Sequence, residues 1–198
     1  MKLPALPLLL LLTCLLGWAN CVKDDDDDPV SATTTLNYDG PNFTAPQLPP
    51  GTNTFAAYFP PSETERLRGG TLDKITFYLT RIPQSTSVVI YADGPSDRTP
   101  GTELYRRDIT GRTTTTEWNE HLLLGDAIEL IGQGLWLAIE VELGQGEDPR
   151  SVGCDAGRSY SPNGDRLLLS IDSDWTSFNE LNGETVNWNI RGEVSGVP

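Results

Sequence analysis

One histidine and three cysteines in 198 residues leave little material for imidazole or thiolate chemistry. A Ser/His/Asp or Cys/His site needs an imidazole that titrates near neutral pH, and His121 is the sole supply. It stands in Asn119-Glu120-His121-Leu122-Leu123-Leu124; if Trp118, Leu122 and Leu124 face a core, His121 points outward with Leu123 as a solvated strand residue. A zinc centre wants several His or Cys ligands and a phosphate loop wants a glycine-rich run, and neither is present. Basic residues are also scarce: 14 Lys and Arg face 28 Asp and Glu, for a formal charge of −14. Setting aside Lys2, Lys23 and Asp24 to Asp28 still leaves 23 acids and 12 bases, or −11. That balance opposes nucleic acid and anionic lipid head groups as partners. The longest apolar run, Leu8 to Leu16, falls short of the roughly 20 residues of a spanning helix. No helical periodicity outlasts two turns, and no internal repeat is visible. The acids alone allow a carboxylate pair about 5 to 9 Å apart, as in glycoside cleavage. A glycoside hydrolase is therefore the enzymatic alternative to the non-catalytic reading that the other absences favour.

What is present begins with an export signal. Met1-Lys2 gives a short positive end, and Leu8 to Leu16 has the length of a secretory apolar segment, about 7 to 15 residues. Leu15-Leu16-Gly17-Trp18-Ala19-Asn20-Cys21 resembles a bacterial lipoprotein signal, in which the cysteine becomes the first mature residue and its sulfur carries a diacylglyceryl group. Ordinary cleavage after Ala19 is the alternative, because Gly17 and Ala19 are both small. Cys14 is the poorer lipid acceptor, since Leu15 and Leu16 behind it make no solvated tether. Lys23 followed by Asp24 to Asp28 resembles the signal that sends lipoproteins to the cell surface in some Gram-negative bacteria. The expected organisation is a signal peptide over 1–20, a lipidated Cys21 with an acidic tether over 21–35, and a folded domain over 36–198. Two or three acyl chains, at about 0.8 kcal/mol per buried methylene, hold such a protein in the outer membrane, here exposed at the cell surface. Five adjacent carboxylates repel one another and stay hydrated, which makes a spacer rather than a calcium cage. With Cys14 removed and Cys21 acylated, Cys154 has no disulfide partner and reads as a small buried apolar residue.

The rest of the chain alternates at short range. Phe55, Ala57 and Phe59 share one face of a strand that Pro60-Pro61 ends, and Ile75, Phe77 and Leu79 share one face of the next. Val88 and Ile90 mark a third, Thr102 to Ile109 a fourth and Trp118 to Leu124 a fifth. Leu135 to Leu143 is the clearest: Leu135, Leu137, Ile139, Val141 and Leu143 lie on one face, Trp136, Ala138, Glu140 and Glu142 on the other, the period of a half-buried strand. Leu167, Leu169 and Ile171 mark a seventh. Val186 to Val194 is the last, with Val186, Trp188, Ile190 and Val194 inward and Asn187, Asn189, Arg191 and Glu193 outward. About eight such strands, separated by Gly, Pro, Asn and Asp, predict an all-β antiparallel β-sandwich, jelly-roll-like, with an immunoglobulin-like sandwich as the alternative. The runs Thr71-Leu72-Asp73-Lys74-Ile75-Thr76-Phe77-Tyr78, Pro100-Gly101-Thr102-Glu103-Leu104-Tyr105, Leu135-Trp136-Leu137-Ala138, Gly153-Cys154-Asp155-Ala156-Gly157 and Trp188-Asn189-Ile190-Arg191 resemble the accessory β-sandwich modules attached to secreted peptidases and adhesins of Gram-negative surface systems. The resemblance covers about Phe55 to Val194; it implies a non-catalytic recognition role and carries over no functional residue.

Candidate ligand groups fall in the longest irregular stretches, Gly144 to Asp165 and Asp172 to Glu184. They hold Asp155, Asp165, Asp172 and Asp174, with Tyr160 and Trp175 as flat apolar platforms. Carboxylates beside aromatics suit a sugar, whose hydroxyls donate to acids and whose ring faces are apolar. Oxygen ligands also suit calcium, the one cofactor considered, with Asp155 and Asp165 as its ligands, although the spacing is not that of a dedicated calcium loop. The plainer alternative has Asp172 and Asp174 making turns and Trp175 plugging the end of the core. Trp136 and Trp188 read as core or sheet surface, and Trp118 as a packed strand start. The expectation is a membrane-anchored binding or adhesion module for an extracellular glycan or surface protein. A structural lipoprotein that contacts another envelope protein is the alternative.

Overall fold

The structure, a computed structural model, describes residues 33–146 and 148–197; the export signal, Cys21 and the aspartate run lie outside the described residues. Eleven strands alternate with short helical turns among them: β1 (Thr34–Leu36), β2 (Gly51–Phe59), β3 (Thr71–Tyr78), β4 (Ser85–Ala92), β5 (Glu103–Asp108), β6 (Trp118–Leu122), β7 (Ile128–Glu129), β8 (Leu135–Leu143), β9 (Arg166–Leu168), β10 (Thr176–Ser177) and β11 (Ile190–Ser195). Pro60 and Pro61 end β2 and open the one-turn helix α1 (Pro61–Thr64), while α2 (Phe178–Asn182) follows β10 under a Ser177/Glu180 capping box.

The strands form two antiparallel sheets packed as a sandwich. One has the order β1-β11-β3-β6, with β7 also on β3; the other runs β10-β9-β2-β8-β4-β5. Register follows the period of two: β2 pairs β8 with Phe55 opposite Ile139 and Ala57 opposite Leu137, and β8 pairs β4 with Ile139 opposite Val88. These side chains meet Ile75, Phe77 and Ile190 of the other sheet, with Leu79 and Trp188 just outside its strands, in one continuous core. Each such fully buried side chain contributes about 1.5–3 kcal/mol. Gly192 in β11 allows the close approach, since a Cβ there would stand 2.7 Å from Leu72 Cδ1 and 2.8 Å from Leu137 Cδ1.

Four sequence expectations need correction. β8 is buried on both faces, because Trp136 and Ala138 join Ala56, Tyr58 and Val89 in a second apolar cluster on the far side of the six-stranded sheet. In β6 the parity is reversed: Leu123 just beyond it is buried, while Leu122 and Leu124 face solvent. Asn119 and His121 share the parity of Leu123, so His121 is not a solvated residue; its Nε2 lies 2.6 Å from Tyr105 Oη, and burial together with Arg107 and Arg112 pushes its pKa below the usual imidazole value. The seventh strand is shorter than predicted, and Ile171, 73% exposed, takes no part in it. Finally, Asn187 and Asn189 are wholly buried rather than outward, because loops fold over them.

Candidate binding groove

The loops that cover Asn187 and Asn189 also build the best-formed concavity. Residues 150–155 run extended between two neighbours: Arg150 bridges to Gln47, Val152 to Leu79, and Cys154 to both Thr44 and Trp188. The Phe43 and Thr44 N–H groups both donate to Cys154 O, at 2.8 and 3.2 Å, which sews the loop between β1 and β2 onto this segment. Cys154 is buried, and burial, with Asp155 and Glu184 nearby, pushes its thiol up to about 12, far from thiolate chemistry at neutral pH.

Asp155 is the knot of this region. Its Oδ1 accepts from Gly157 N–H (2.9 Å) and Asn187 N–H (2.8 Å), its Oδ2 from Gly40 N–H (3.1 Å) and Asn187 Nδ2 (3.0 Å). Burial alone raises its pKa, but the bonds from Asn187, Gly157 and Gly40 outweigh it and hold the carboxyl below the ordinary range. Asp39, also buried, receives Arg191 through Nε at 3.0 Å and Nη2 at 2.8 Å and Asn189 Nδ2 at 2.7 Å, while the Arg191 guanidinium lies 3.9 Å over the Trp118 ring. Both carboxylates are thus saturated by protein donors.

Above this framework three hollows lie end to end. The first, about 460 Å³, is lined by Tyr38 to Phe43 and by Asp155, Ala156, Arg158 and Ser159. The second, about 360 Å³, shares Asn42 and Phe43 with it and adds Arg81, Asp148 and Arg150. Those three residues also line the third, about 330 Å³. Phe43, 73% exposed, forms the wall between the first two. Beneath it, Asn42 Oδ1 and Asn189 Oδ1 are buried acceptors without a donor. They converge on Gly153, where a Cβ would stand 2.3 Å from the first oxygen and 3.0 Å from the second. Any side chain at 153 would collide with them, so the glycine is what lets the two amides pack against this segment.

The sequence-predicted site residues divide between two places. Tyr160 and Asp165 meet, with Oη donating to Oδ2 at 3.3 Å, and Asn187 ties this pair to the groove by accepting from Ser161 N–H while it donates to Asp155. Trp175 lies apart from the groove: it packs edge-on against Trp136 (5.4 Å) and Tyr91 (6.2 Å), over the second apolar cluster. Asp172 and Asp174 are exposed on the loop that leads to it. Among the described residues no three Asp, Glu, His or Cys side chains gather as a metal centre would require.

No family model and no curated protein matches the chain. Among solved structures, a clostridial cysteine protease, Cwp84, in a form obtained after propeptide cleavage, shares the fold with a TM-score of 0.50 at 10% identity. The match covers 82% of this chain and 40% of that one. A second structure, of the cysteine protease and lectin-like domains of Cwp84, a surface layer associated protein of Clostridium difficile, gives 0.49 at 10% identity over 82% of this chain and 36% of that one. At this identity the likeness shows the fold alone.

Two measurements follow from these positions. Trp175→Ala uncovers Trp136 but removes a ring that is already partly in solvent, so chemical denaturation should register a loss of about 1–3 kcal/mol, below that of a fully buried tryptophan. A loss under about 0.5 kcal/mol would make it a free-standing platform instead. Asp165 differs from Asp155 in sign. Burial pushes it above the ordinary carboxylate range to about 6, against the bonds from Asn179 N–H and Tyr160 Oη. A raised folded-state value means that the stabilisation is complete below pH 4 and is lost as pH rises through 6. The stability difference between wild type and Asp165→Asn should therefore fall by about 2–3 kcal/mol between pH 4 and 7. Using the difference cancels His121, which titrates in the same window with the opposite sign.

The sequence reading missed Asn42, Phe43 and Arg158. Asp39-Gly40-Pro41-Asn42-Phe43 carries the turn chemistry of a loop and an aromatic with no strand to belong to, the one local signal that pointed there.

Proposed function

We propose that this protein is a lipid-anchored, non-catalytic binding module that holds a glycan in the groove along 38–43, 81–84 and 148–159. The observation that carries the reading is Phe43: a large aromatic 73% exposed on the wall between two hollows. A sugar offers an apolar ring face to the phenyl group and hydroxyls to the polar side chains that line the same hollows. The non-catalytic part of the proposal is supported by Asp39 and Asp155, whose oxygens are already taken by Arg191, Asn189, Asn187 and backbone N–H groups, so neither is available as a general acid or base. The anchor rests on Cys21 and the acids after it.

Two experiments address the two parts. Full-length protein incubated with a glycan panel should retain a subset above an unrelated acidic control protein, without product formation. No retention above the control across the panel would end the glycan reading in favour of a protein-contacting or structural role. Separately, fractionation of intact cells should find wild type in the membrane and Cys21→Ala released or unprocessed. A wild-type mature chain that starts at Asn20 without lipid would remove the anchor.

A further inference from the structure

We infer that the groove takes a carboxylate-bearing sugar, such as a uronic acid, with Arg158 as the residue that receives the carboxylate; this rests on the glycan reading above. Arg158 lines the first hollow and is exposed, yet it has no ion pair, hydrogen bond or ring contact among the described residues. Vacant arginines are unexpected in a domain with 23 acids and 12 bases. Asp39 and Asp155 line the same hollow but cannot serve it. Asp39 is held by Arg191 and Asn189, and each Asp155 oxygen already accepts two N–H bonds. The Arg158 fork, five donors in a plane, is therefore left for an incoming acceptor.

The neighbouring hollows lean the same way. Arg81 and Arg150 line both of them and share a single carboxylate, Asp148, at 3.2 and 3.4 Å. Along the groove, the described residues thus offer three guanidinium groups and three carboxylates, one of which, Asp39, is paired with Arg191. The local balance is far less acidic than that of the domain as a whole. A glycan with carboxylates would be repelled less here than elsewhere on the acidic surface, and a carboxylate pairs with an arginine fork through two parallel bonds. Phe43 and Arg158 line the same hollow, the first suited to the ring and the second to the acid.

The test compares oligomers of galacturonate, glucuronate and sialate with the same oligomers as carboxyl methyl esters, on full-length protein. At least one free acid should bind tenfold or more tightly than its ester, as expected for a charge-assisted pair, and the gap should narrow as salt is added. Arg158→Ala should lower the affinity for the acid to that for the ester while leaving ester affinity and Tm unchanged; Arg158→Lys should recover part of the gap. Esters that bind as well as every free acid, or acid binding that survives Arg158→Ala, would overturn the acidic-sugar assignment and leave the glycan reading standing. A peptide with a free C-terminal carboxylate that binds through Arg158 more tightly than any of the sugars would move the site from sugar to protein. Absence of binding to any glycan, acidic or neutral, would overturn both.

Discussion

Ile139→Asp is expected to give no cooperatively folded protein. Ile139 has no accessible surface and sits at the middle of β8, with Phe55 on one side in register and Val88 on the other. Removing an isoleucine from such a place costs about 2–5 kcal/mol through lost burial and the cavity left behind. The aspartate adds several more, whether it stays charged without a partner or takes up a proton and leaves its hydroxyl and carbonyl without bonds. Together these match the whole stability of a domain, about 5–15 kcal/mol. Circular dichroism should show lost β-structure and denaturant should give no sigmoidal transition. The matched control is Ile171→Asp. Simple alternation assigned Ile171 to the buried face of a strand, but the chain has left β9 by then and the side chain is exposed. That variant should stay within about 0.5 kcal/mol of wild type. A cooperative Ile139→Asp protein would mean that the strand faces are reversed; an unfolded Ile171→Asp protein would mean that β9 continues beyond Leu168.

Asp155→Ala should cost about 3–5 kcal/mol although it removes only a small polar side chain. The carboxylate satisfies four donors, Gly40 N–H, Gly157 N–H, Asn187 N–H and Asn187 Nδ2, and each buried donor left without an acceptor costs about 1–3 kcal/mol, with part recovered as water enters. Two loops lose their shared anchor, so Tm should fall by about 10–15 °C, at roughly 2–4 °C per kcal/mol for a domain of this size. Asp155→Asn is no rescue, because its amide turns a donor towards N–H groups. The charge has a pH signature as well: with the carboxyl held below its ordinary range, the stabilisation is present above about pH 4 and is lost as pH falls through the folded-state value. Calcium added to wild type should leave Tm where it is if these oxygens serve the fold. An Asp155→Ala protein with unchanged Tm, or a wild type that calcium stabilises through Asp155, would restore this residue to the ligand role that the sequence had assigned to it.

The sandwich was legible because its central strands alternate cleanly. Phe55-Ala57-Phe59 and Leu135 to Leu143 put every second residue in the core, and the structure keeps both sets there. The reading slipped where apolar residues occupy both parities. Leu122, Leu123 and Leu124 are consecutive, so nothing local decides which is buried; the core takes Leu123, and the polar residues of its parity are satisfied instead by Thr114 around Asn119 and by Tyr105 against His121. Asn187 and Asn189 fail for another reason. They do alternate against Val186, Trp188 and Ile190, but two loops distant in sequence close over them, and no period of two carries that information. The site suffers from the same limit. Gly153-Cys154-Asp155-Ala156-Gly157 attracted notice for its aspartate as a ligand, whereas the glycine is what lets Asn42 and Asn189 pack close and the aspartate is what holds the loops. Tyr160, grouped by the sequence with Asp172, Asp174 and Trp175, instead meets Asp165, while Trp175, chosen as a flat aromatic in a polar loop, covers Trp136 on the opposite face of the sheet from the core.

The central claim is that the groove around Phe43 is where this protein holds its ligand, and Phe43→Ala measures it most directly. The side chain contributes little to folding because it is mostly in solvent, so Tm should match wild type. Loss of a stacking face, worth about 0.5–1.5 kcal/mol beyond the area it covers, should weaken the best glycan of the panel tenfold or more. Unchanged Tm with that loss is the predicted result; unchanged Tm with unchanged glycan affinity would place the binding surface elsewhere on the sandwich.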